Sequence, residues 1–243
     1  MLVSQNASTS RYSQPMAAAE HYVFDNKLAV LLGDYLLAKV LGIASQLALP
    51  EVWPLLSDTV RRLTRGEMVQ LSRRGCLDLA ESDYFRFMEW KTASLTELSC
   101  RLGALSAGAS KAEQEAYGQW GRDFGIFFQL KDDLKDFAGA ADGKDSYSDL
   151  REGEVTLPVM YAMQRLSLNG RADFRRRYLK IQKPAGELEA LAATVRDCGA
   201  LHQAGEKLSQ MQTVLLQQLE GFPESVYRLD LQQLVRETGN LQF

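Results

Sequence analysis

The sequence contains few histidines and cysteines, and this scarcity excludes several classes of active site. Its two histidines, His21 and His202, are too few for a histidine-based metal site or a Ser-His-Asp triad. The three cysteines are far apart and form no C-x-x-C pair. They predict buried thiols in a reducing compartment, because a disulfide framework needs paired and regularly spaced cysteines. We therefore expect a cytoplasmic protein.

The sequence also lacks a marked charge excess and a convincing membrane span. It has 28 basic and 31 acidic residues and a net charge of -3, a balance that argues against nucleic acid as a partner. The first residues include no apolar core of a secretory signal. Residues 28–50 are long enough to span a bilayer, but they include Asp34, Lys39 and Gln46, which are costly in lipid. We expect a buried helix there and no transmembrane segment.

Helical periodicity dominates the chain, and no alternating run indicates a strand. We expect an all-α fold, with a flexible N-terminal segment over residues 1–22 and a single helical domain over 23–243. A chain of this length buries a sizeable core. The periodicity predicts helices near residues 25–48, 52–74, 82–108, 111–138, 153–166, 172–181, 185–197, 200–219 and 225–237.

The stretch FGIFFQLKDDLKDF, residues 124–137, combines three aspartates with several large apolar side chains. Each residue of an α-helix advances about 100° around the axis. With Asp132 at zero, Asp136 lies at roughly 40°, Gln129 at roughly 60° and Asp133 at roughly 100°. Leu130, Leu134, Phe137 and Phe127 lie on the opposite side, at roughly 140–220°. One face of this helix is therefore acidic and the other is apolar.

Clustered carboxylates repel each other unless a cation lies between them. Carboxylate oxygens suit Mg²⁺, which keeps several waters and commonly shares its remaining positions with substrate phosphates. The alternative is a solvated acidic helix face, and the motif D-D-x-x-D is too short to exclude this alternative by itself.

Two further segments carry candidate anion-binding side chains. Lys91 and Thr92 lie in a helix otherwise rich in apolar and small residues. Lys91 either extends to solvent or offers a positive charge to an anion. The stretch GKDSYSDLREGEVTLPVMYA, residues 143–162, supplies Lys144 in a glycine-flanked loop and then a helix start with Pro158 in its first turn. From the residues alone, this stretch is interpreted as a solvated loop.

Taken in order, six segments resemble the trans-type polyprenyl diphosphate synthases. The similarity runs from about residue 26 to about residue 208. The matching segments are NKLAVLLGDYLLAK (26–39), GEMVQL (66–71), KTASL (91–95), FGIFFQLKDDLKD (124–136), GKDSYSDLREGEVTLP (143–158) and VRDCGALHQAGEKL (195–208). Each segment is weak alone, but the order of all six is that of the family.

The resemblance implies a bundle of long helices around a central apolar cavity, with diphosphates held at its mouth. It implies Mg²⁺-dependent condensation of isopentenyl diphosphate with an allylic diphosphate. By position, Asp132, Asp133 and Asp136 correspond to the family's second aspartate-rich motif, which holds the metal. The residues that correspond to its catalytic and diphosphate-contacting side chains are Lys91, Thr92, Gln129 and Lys144. The apolar helices between residues 28 and 71 resemble the family's dimer interface.

Two departures from the family pattern bear on activity. The family carries an earlier aspartate-rich motif followed by an arginine pair. No D-D-x-x-D precedes Glu51 here, and Arg11 is the one candidate remnant of the arginine pair. In addition, Glu154 replaces the usual lysine of the family's E-G-K-x-T. This exchange puts an anion where the family has a phosphate-facing cation.

Three hypotheses follow from the resemblance and its departures. The first is a prenyltransferase whose start lies upstream of Met1, in which case the short chain by itself does not elongate prenyl diphosphates. The second is a non-catalytic subunit that pairs with a full-length synthase, so the chain forms a homodimer or a heterodimer. The third is a terpene cyclase, against which the aspartates at 132, 133 and 136 argue, since cyclases usually carry an N-S-E type motif there.

Overall fold

The computed structural model describes residues 26–137 and 147–240, with side chains described from residue 28. The chain forms two compact units, one ending at Trp53 and one beginning at Pro54, and each is described by itself. The first unit contains helix α1 (Asn26–Ala44). Its large apolar side chains are exposed, which corrects the expectation of a buried helix in this part of the chain. Within the described ranges, no helix is long and apolar enough to cross a membrane.

The secondary structure of the described residues consists of helices and their connections, with no strand, which confirms the predicted all-α class. Helix α2 begins at the end of the first unit, and the remaining helices belong to the second. A π-helical segment (Glu89–Ala93) joins α3 to α4. The helices after α1 are α2 (Val52–Ser72), α3 (Glu81–Met88), α4 (Ser94–Ser106), α5 (Lys111–Lys135), α6 (Ser148–Glu152), α7 (Leu157–Arg165), α8 (Leu168–Tyr178), α9 (Ala185–Asp197), α10 (Ala200–Glu220) and α11 (Val226–Gly239).

Two of the differences between the predicted and the observed helices have a clear structural cause. The single helix predicted over 82–108 is interrupted by the π-helical segment, which shifts the helical register after α3. The helix predicted over 153–166 begins later, at Leu157, because Gly153 is in the left-handed region with φ of 77° and ends the short helix α6. Sequence periodicity does not detect α6, since five residues are too few to show a helical repeat.

Helix α5 is the central helix of the second unit and carries the aspartates. It begins with a capping box, in which the backbone N–H of Ser110 donates to the Glu113 carboxylate over 2.8 Å. The apolar face predicted from the helical wheel is buried, because Phe127, Leu130 and Leu134 have no exposed surface. This burial fixes the rotation of α5 and turns Asp132 and Gln129 away from the core.

The cysteines correct one expectation. Cys76, Cys100 and Cys198 are free thiols, as expected, but each is only partly buried. Cys100 and Cys198 lie at the edge of the helical core, where neighbouring side chains cover part of each residue.

Two glycines allow the π-helical segment to lie against α2 and α5. A Cβ at Gly66 would lie 2.7 Å from the backbone N of Lys91. A Cβ at Gly125 would lie 2.2 Å from Thr96 Oγ1 and 2.5 Å from the Cα of Ala93. Larger side chains at these positions would therefore displace the backbone of the segment that carries Lys91.

We expect Gly125→Ala to destabilise the protein by about 1–3 kcal/mol, because the added methyl group overpacks a contact with backbone. The matched control is Gly103→Ala in α4, where an added Cβ meets nothing within 4 Å. That change should stabilise by about 0.5–1 kcal/mol, since alanine is the better helix former. Urea unfolding monitored by circular dichroism measures both, and equal effects of the two substitutions would contradict the close packing described here.

Candidate functional site

A cavity of about 380 Å³ in the second unit brings together side chains from α2, α3, α5, α6 and the α6–α7 connection. Its lining is dominated by charged and polar groups. The acidic side chains are Asp132, Asp133, Asp149, Glu152 and Glu154, and the basic ones are Arg73 and Lys91. The remaining lining residues are Gln70, Leu79, Tyr84, Phe87, Met88, Thr92, Gln129, Val155 and Thr156. With every carboxyl ionised, five negative charges face two positive ones.

A chain of hydrogen bonds fixes Asp133 at the inner wall of the cavity. Thr92 Oγ1 donates to Gln129 Oε1 over 2.7 Å, and Gln129 Nε2 donates to Asp133 Oδ1 over 2.9 Å. On the other side, the Tyr84 hydroxyl donates to Asp133 Oδ2 over 2.7 Å. Burial raises the pKa of Asp133 to about 7, and the charges of Asp132 and Glu154 also act to raise it, against the lowering effect of these hydrogen bonds.

Asp149 faces the same cavity from α6. Burial and the neighbouring charge of Asp133 raise the pKa of Asp149 to about 8. Its position depends on Asp136, whose carboxylate accepts from the backbone N–H of Ser148 over 2.9 Å and from that of Asp149 over 3.1 Å. Ser148 Oγ donates to the same carboxylate over 2.9 Å. Asp136 thus satisfies the first N–H groups of α6 and orients Asp149.

The cationic side of the cavity consists of Lys91 and Arg73. Lys91 is on the π-helical segment, and its ammonium lies 3.2 Å from Glu67 Oε2 in a partly exposed pair. Arg73 follows the end of α2 and is exposed. Arg73 is thus exposed to solvent and Lys91 is partly exposed.

Glu154 is held by polar contacts from α2 and α8. Gln70 Nε2 donates to its carboxylate, and an Arg74 guanidinium N–H donates to Glu154 Oε1 over 3.0 Å. Its backbone carbonyl accepts from the Tyr178 hydroxyl over 2.6 Å. These contacts hold the Glu154 carboxylate near Asp133 and Asp149, and its charge acts to raise the pKa of both.

The donor set fits a hydrated divalent cation better than a fully protein-enclosed one. Among the described residues, no group of three or more histidine, cysteine or carboxylate side chains is arranged to hold a metal ion. Mg²⁺ is commonly bound through one or two carboxylates and completes its shell with waters and substrate phosphates. Asp132 is exposed at the cavity rim and is placed to act in this way.

Five of the residues predicted from sequence lie together in this cavity: Lys91, Thr92, Gln129, Asp132 and Asp133. Asp136 is not among the lining side chains, because its carboxylate is occupied by the start of α6. Lys144 and Arg11 lie outside the described residues. Sequence reasoning did not single out Tyr84, Asp149 or Arg73. Their spacing shows no pattern, although Asp149 lies within the matched segment 143–158.

The relatives found by comparison with known proteins agree with one another in family. The polyprenyl synthetase family model matches residues 6–195. A solanesyl-diphosphate synthase 2, chloroplastic, of Oryza sativa subsp. japonica is 31% identical over 221 residues, which are 89% of this chain and 53% of that protein. A heptaprenyl diphosphate synthase component 2 of Geobacillus stearothermophilus is 38% identical over 142 residues, 58% of this chain and 44% of that protein. The chain thus spans about half the length of these two relatives.

Solved structures share the fold. The polyprenyl synthase of Caulobacter crescentus CB15, complexed with calcium and isoprenyl diphosphate, superposes with a TM-score of 0.85 at 28% identity, covering 91% of this chain and 68% of that one. The decaprenyl diphosphate synthase of Rhodobacter capsulatus gives a TM-score of 0.83 at 29% identity, covering 89% and 67%. With the family model matching most of its length, the chain belongs to the polyprenyl synthetase family.

Proposed function

We propose that this protein acts as a trans-polyprenyl diphosphate synthase, in which Mg²⁺ supports the condensation of isopentenyl diphosphate with an allylic diphosphate. The observation that carries the proposal is the cavity in which Asp132, Asp133 and Asp149 face Lys91 and Arg73. Carboxylates for a cation and cations for a diphosphate are thereby within one site. The names of the relatives support a synthase over the terpene cyclase hypothesis.

In this proposal, each side chain has a role that follows from its contacts. Asp132 and Asp149 would hold Mg²⁺, which when bound supplies positive charge to the departing diphosphate. Asp133 supports them from the inner wall, and its hydrogen bonds to Tyr84 and Gln129 fix its orientation. Lys91 and Arg73 bind the diphosphate oxygens from the solvent side. Preorganised cations of this kind stabilise charge that develops on a leaving group.

The direct test combines a binding and a turnover measurement on the protein. Calorimetry with inorganic diphosphate should show binding in the presence of Mg²⁺ and much weaker binding without it. Incubation with labelled isopentenyl diphosphate and an allylic diphosphate then reports chain elongation. Binding without elongation would favour the non-catalytic subunit, and the absence of both would contradict the proposal.

We expect Glu154→Lys to strengthen diphosphate binding by roughly tenfold or more, the effect of a charge-assisted hydrogen bond. The substitution removes one carboxylate and adds a cation at the cavity wall. Glu154→Gln is the matched control, because it removes the negative charge without adding a positive one, and it should give an intermediate affinity. Calorimetric affinities that are equal for all three proteins would place Glu154 outside the binding site.

The partner would be a second copy of this chain or a longer synthase, and α1 is the proposed contact. A helix that is apolar on all sides is normally buried, and large exposed apolar patches mark interaction surfaces. The large side chains of α1 are 41–64% exposed: Leu28, Val30, Leu31, Leu32, Tyr35, Leu36, Leu37, Val40, Leu41 and Ile43. The relative named as component 2 supports a heteromeric partner. Light scattering of the protein alone and with such a synthase distinguishes the two assemblies.

The cytoplasm is the proposed compartment. The three cysteines are all free thiols, and free thiols persist where the environment is reducing. One relative is named as chloroplastic, so localisation of a tagged full-length protein is the measurement that decides between the two compartments.

A further inference from the structure

Thr156 has a buried hydroxyl that no other group of the described residues satisfies. The residue is 5% exposed, and its Oγ1 has no hydrogen-bond partner. Buried hydroxyls are normally paired, because an unpaired polar group loses its hydration without compensation. Thr156 also lines the cavity between Glu154 and the start of α7.

The position of Thr156 in α7 makes the unpaired hydroxyl more unusual. Thr156 is the N-cap residue, with extended backbone angles of φ -90° and ψ 166°, and threonine at this position normally caps the helix through its side chain. Here no side-chain cap bond forms. Pro158, in the first turn, has no N–H to offer to a capping side chain. The Thr156 hydroxyl therefore has no role in completing the helix.

The surroundings of Thr156 indicate what would bind there. The lining residues Asp133, Asp149 and Glu154 are acidic, so a free anion is repelled unless it arrives with a cation. A divalent cation held in the same cavity by Asp132 and Asp149 would bring waters and phosphate oxygens with it. A hydroxyl can donate to such an oxygen or accept from a bound water.

We propose that the Thr156 hydroxyl is a binding contact of this site, which hydrogen-bonds an oxygen atom held by the divalent cation. That oxygen belongs to a metal-bound water or to the diphosphate. The inference rests on the proposed function, because it assumes that a metal–diphosphate pair occupies the cavity. It assigns a role to a residue whose hydroxyl is otherwise only a cost to folding.

The test uses Thr156→Val, which has the same shape without the hydroxyl, and Thr156→Ser, which keeps the hydroxyl. In the metal-free protein, Thr156→Val should leave the melting temperature unchanged or raise it by roughly 2–4 °C, since an unsatisfied buried group is removed. Calorimetry with Mg²⁺, alone or with inorganic diphosphate, should show that Thr156→Val binds roughly 2- to 12-fold more weakly than the unsubstituted protein. This is the effect of losing one hydrogen bond. Thr156→Ser should bind as the unsubstituted protein does.

Two titrations identify the oxygen. A loss in Thr156→Val with Mg²⁺ alone assigns a metal-bound water, whereas a loss only with Mg²⁺ and inorganic diphosphate together assigns a diphosphate oxygen. Unchanged affinity in both titrations, or a lower melting temperature of metal-free Thr156→Val, would overturn the inference, because the hydroxyl would then be inert or structural. If the unsubstituted protein binds neither ligand, the proposed function itself fails, and this outcome is distinct from unchanged affinity in the variant.

Discussion

The double substitution Asp132→Asn, Asp149→Asn should weaken Mg²⁺-dependent diphosphate binding by more than roughly 100-fold. Even substitutions of residues that only support a metal ligand typically reduce metal affinity or activity about 10–100-fold. Both carboxylates line the cavity, one from α5 and one from α6. Asparagine keeps their size, so the fold is retained while the negative charges that attract the cation are removed. Calorimetry with Mg²⁺ and inorganic diphosphate measures the effect.

Asp136→Asn provides the comparison that the sequence motif alone would not suggest. Its carboxylate accepts from the N–H groups of Ser148 and Asp149, and an amide can replace only one of its two oxygens. We expect a loss of about 1–3 kcal/mol of stability, the cost of an unpaired N–H group, and a smaller loss of binding than in the double variant. If Asp136→Asn abolishes binding and leaves stability unchanged, Asp136 is itself a metal ligand, as the D-D-x-x-D motif predicts.

The free energy of unfolding of the metal-free protein should fall as the pH rises from about 5 to about 8. Asp133 and Asp149 have folded-state pKa values of about 7 and about 8, raised above the ordinary value of 3.8. The folded protein therefore holds protons that the unfolded chain has already released, and this stabilisation is lost as the pH rises through the folded pKa values. A pKa difference of one between the folded and unfolded states is worth about 1.36 kcal/mol, so the total effect is several kcal/mol.

The controls for this pH dependence are Asp149→Asn and saturating Mg²⁺. Asparagine removes one titrating group, so the slope of stability against pH should flatten. Carboxyls whose pKa is lowered by ion pairing, such as Asp78 and Glu187, titrate below this pH range and do not contribute. Mg²⁺ should stabilise the protein more at pH 8 than at pH 5, because it binds the ionised carboxylates. A stability that rises between pH 5 and 8 in denaturant titrations of the metal-free protein would contradict the raised pKa values of these two buried carboxyls.

The sequence alone was sufficient for features that depend on local periodicity. The burial of Phe127, Leu130 and Leu134 follows from their common face on one helix, because a single side chain facing the core fixes the rotation of its neighbours. The capping box of Ser110 and Glu113 is also local, because both residues belong to the start of one helix. The order of the matching segments then placed Lys91, Thr92 and Gln129 in one site, and the structure brings these three to the same cavity.

Only the tertiary structure decided which carboxylates share the cavity. Asp136 and Asp132 are one helical turn apart, so the helical wheel places them on the same face. In the structure, the start of α6 lies against Asp136, and Asp149 of α6 lines the cavity instead. Likewise, the partners of Glu154 are Gln70 and Arg74, which are 84 and 80 residues away in the sequence. Such contacts depend on how helices pack and on where a π-helical turn or a glycine shifts the register. Periodicity determines which face of a helix is buried, whereas the packing of distant helices determines what that face meets.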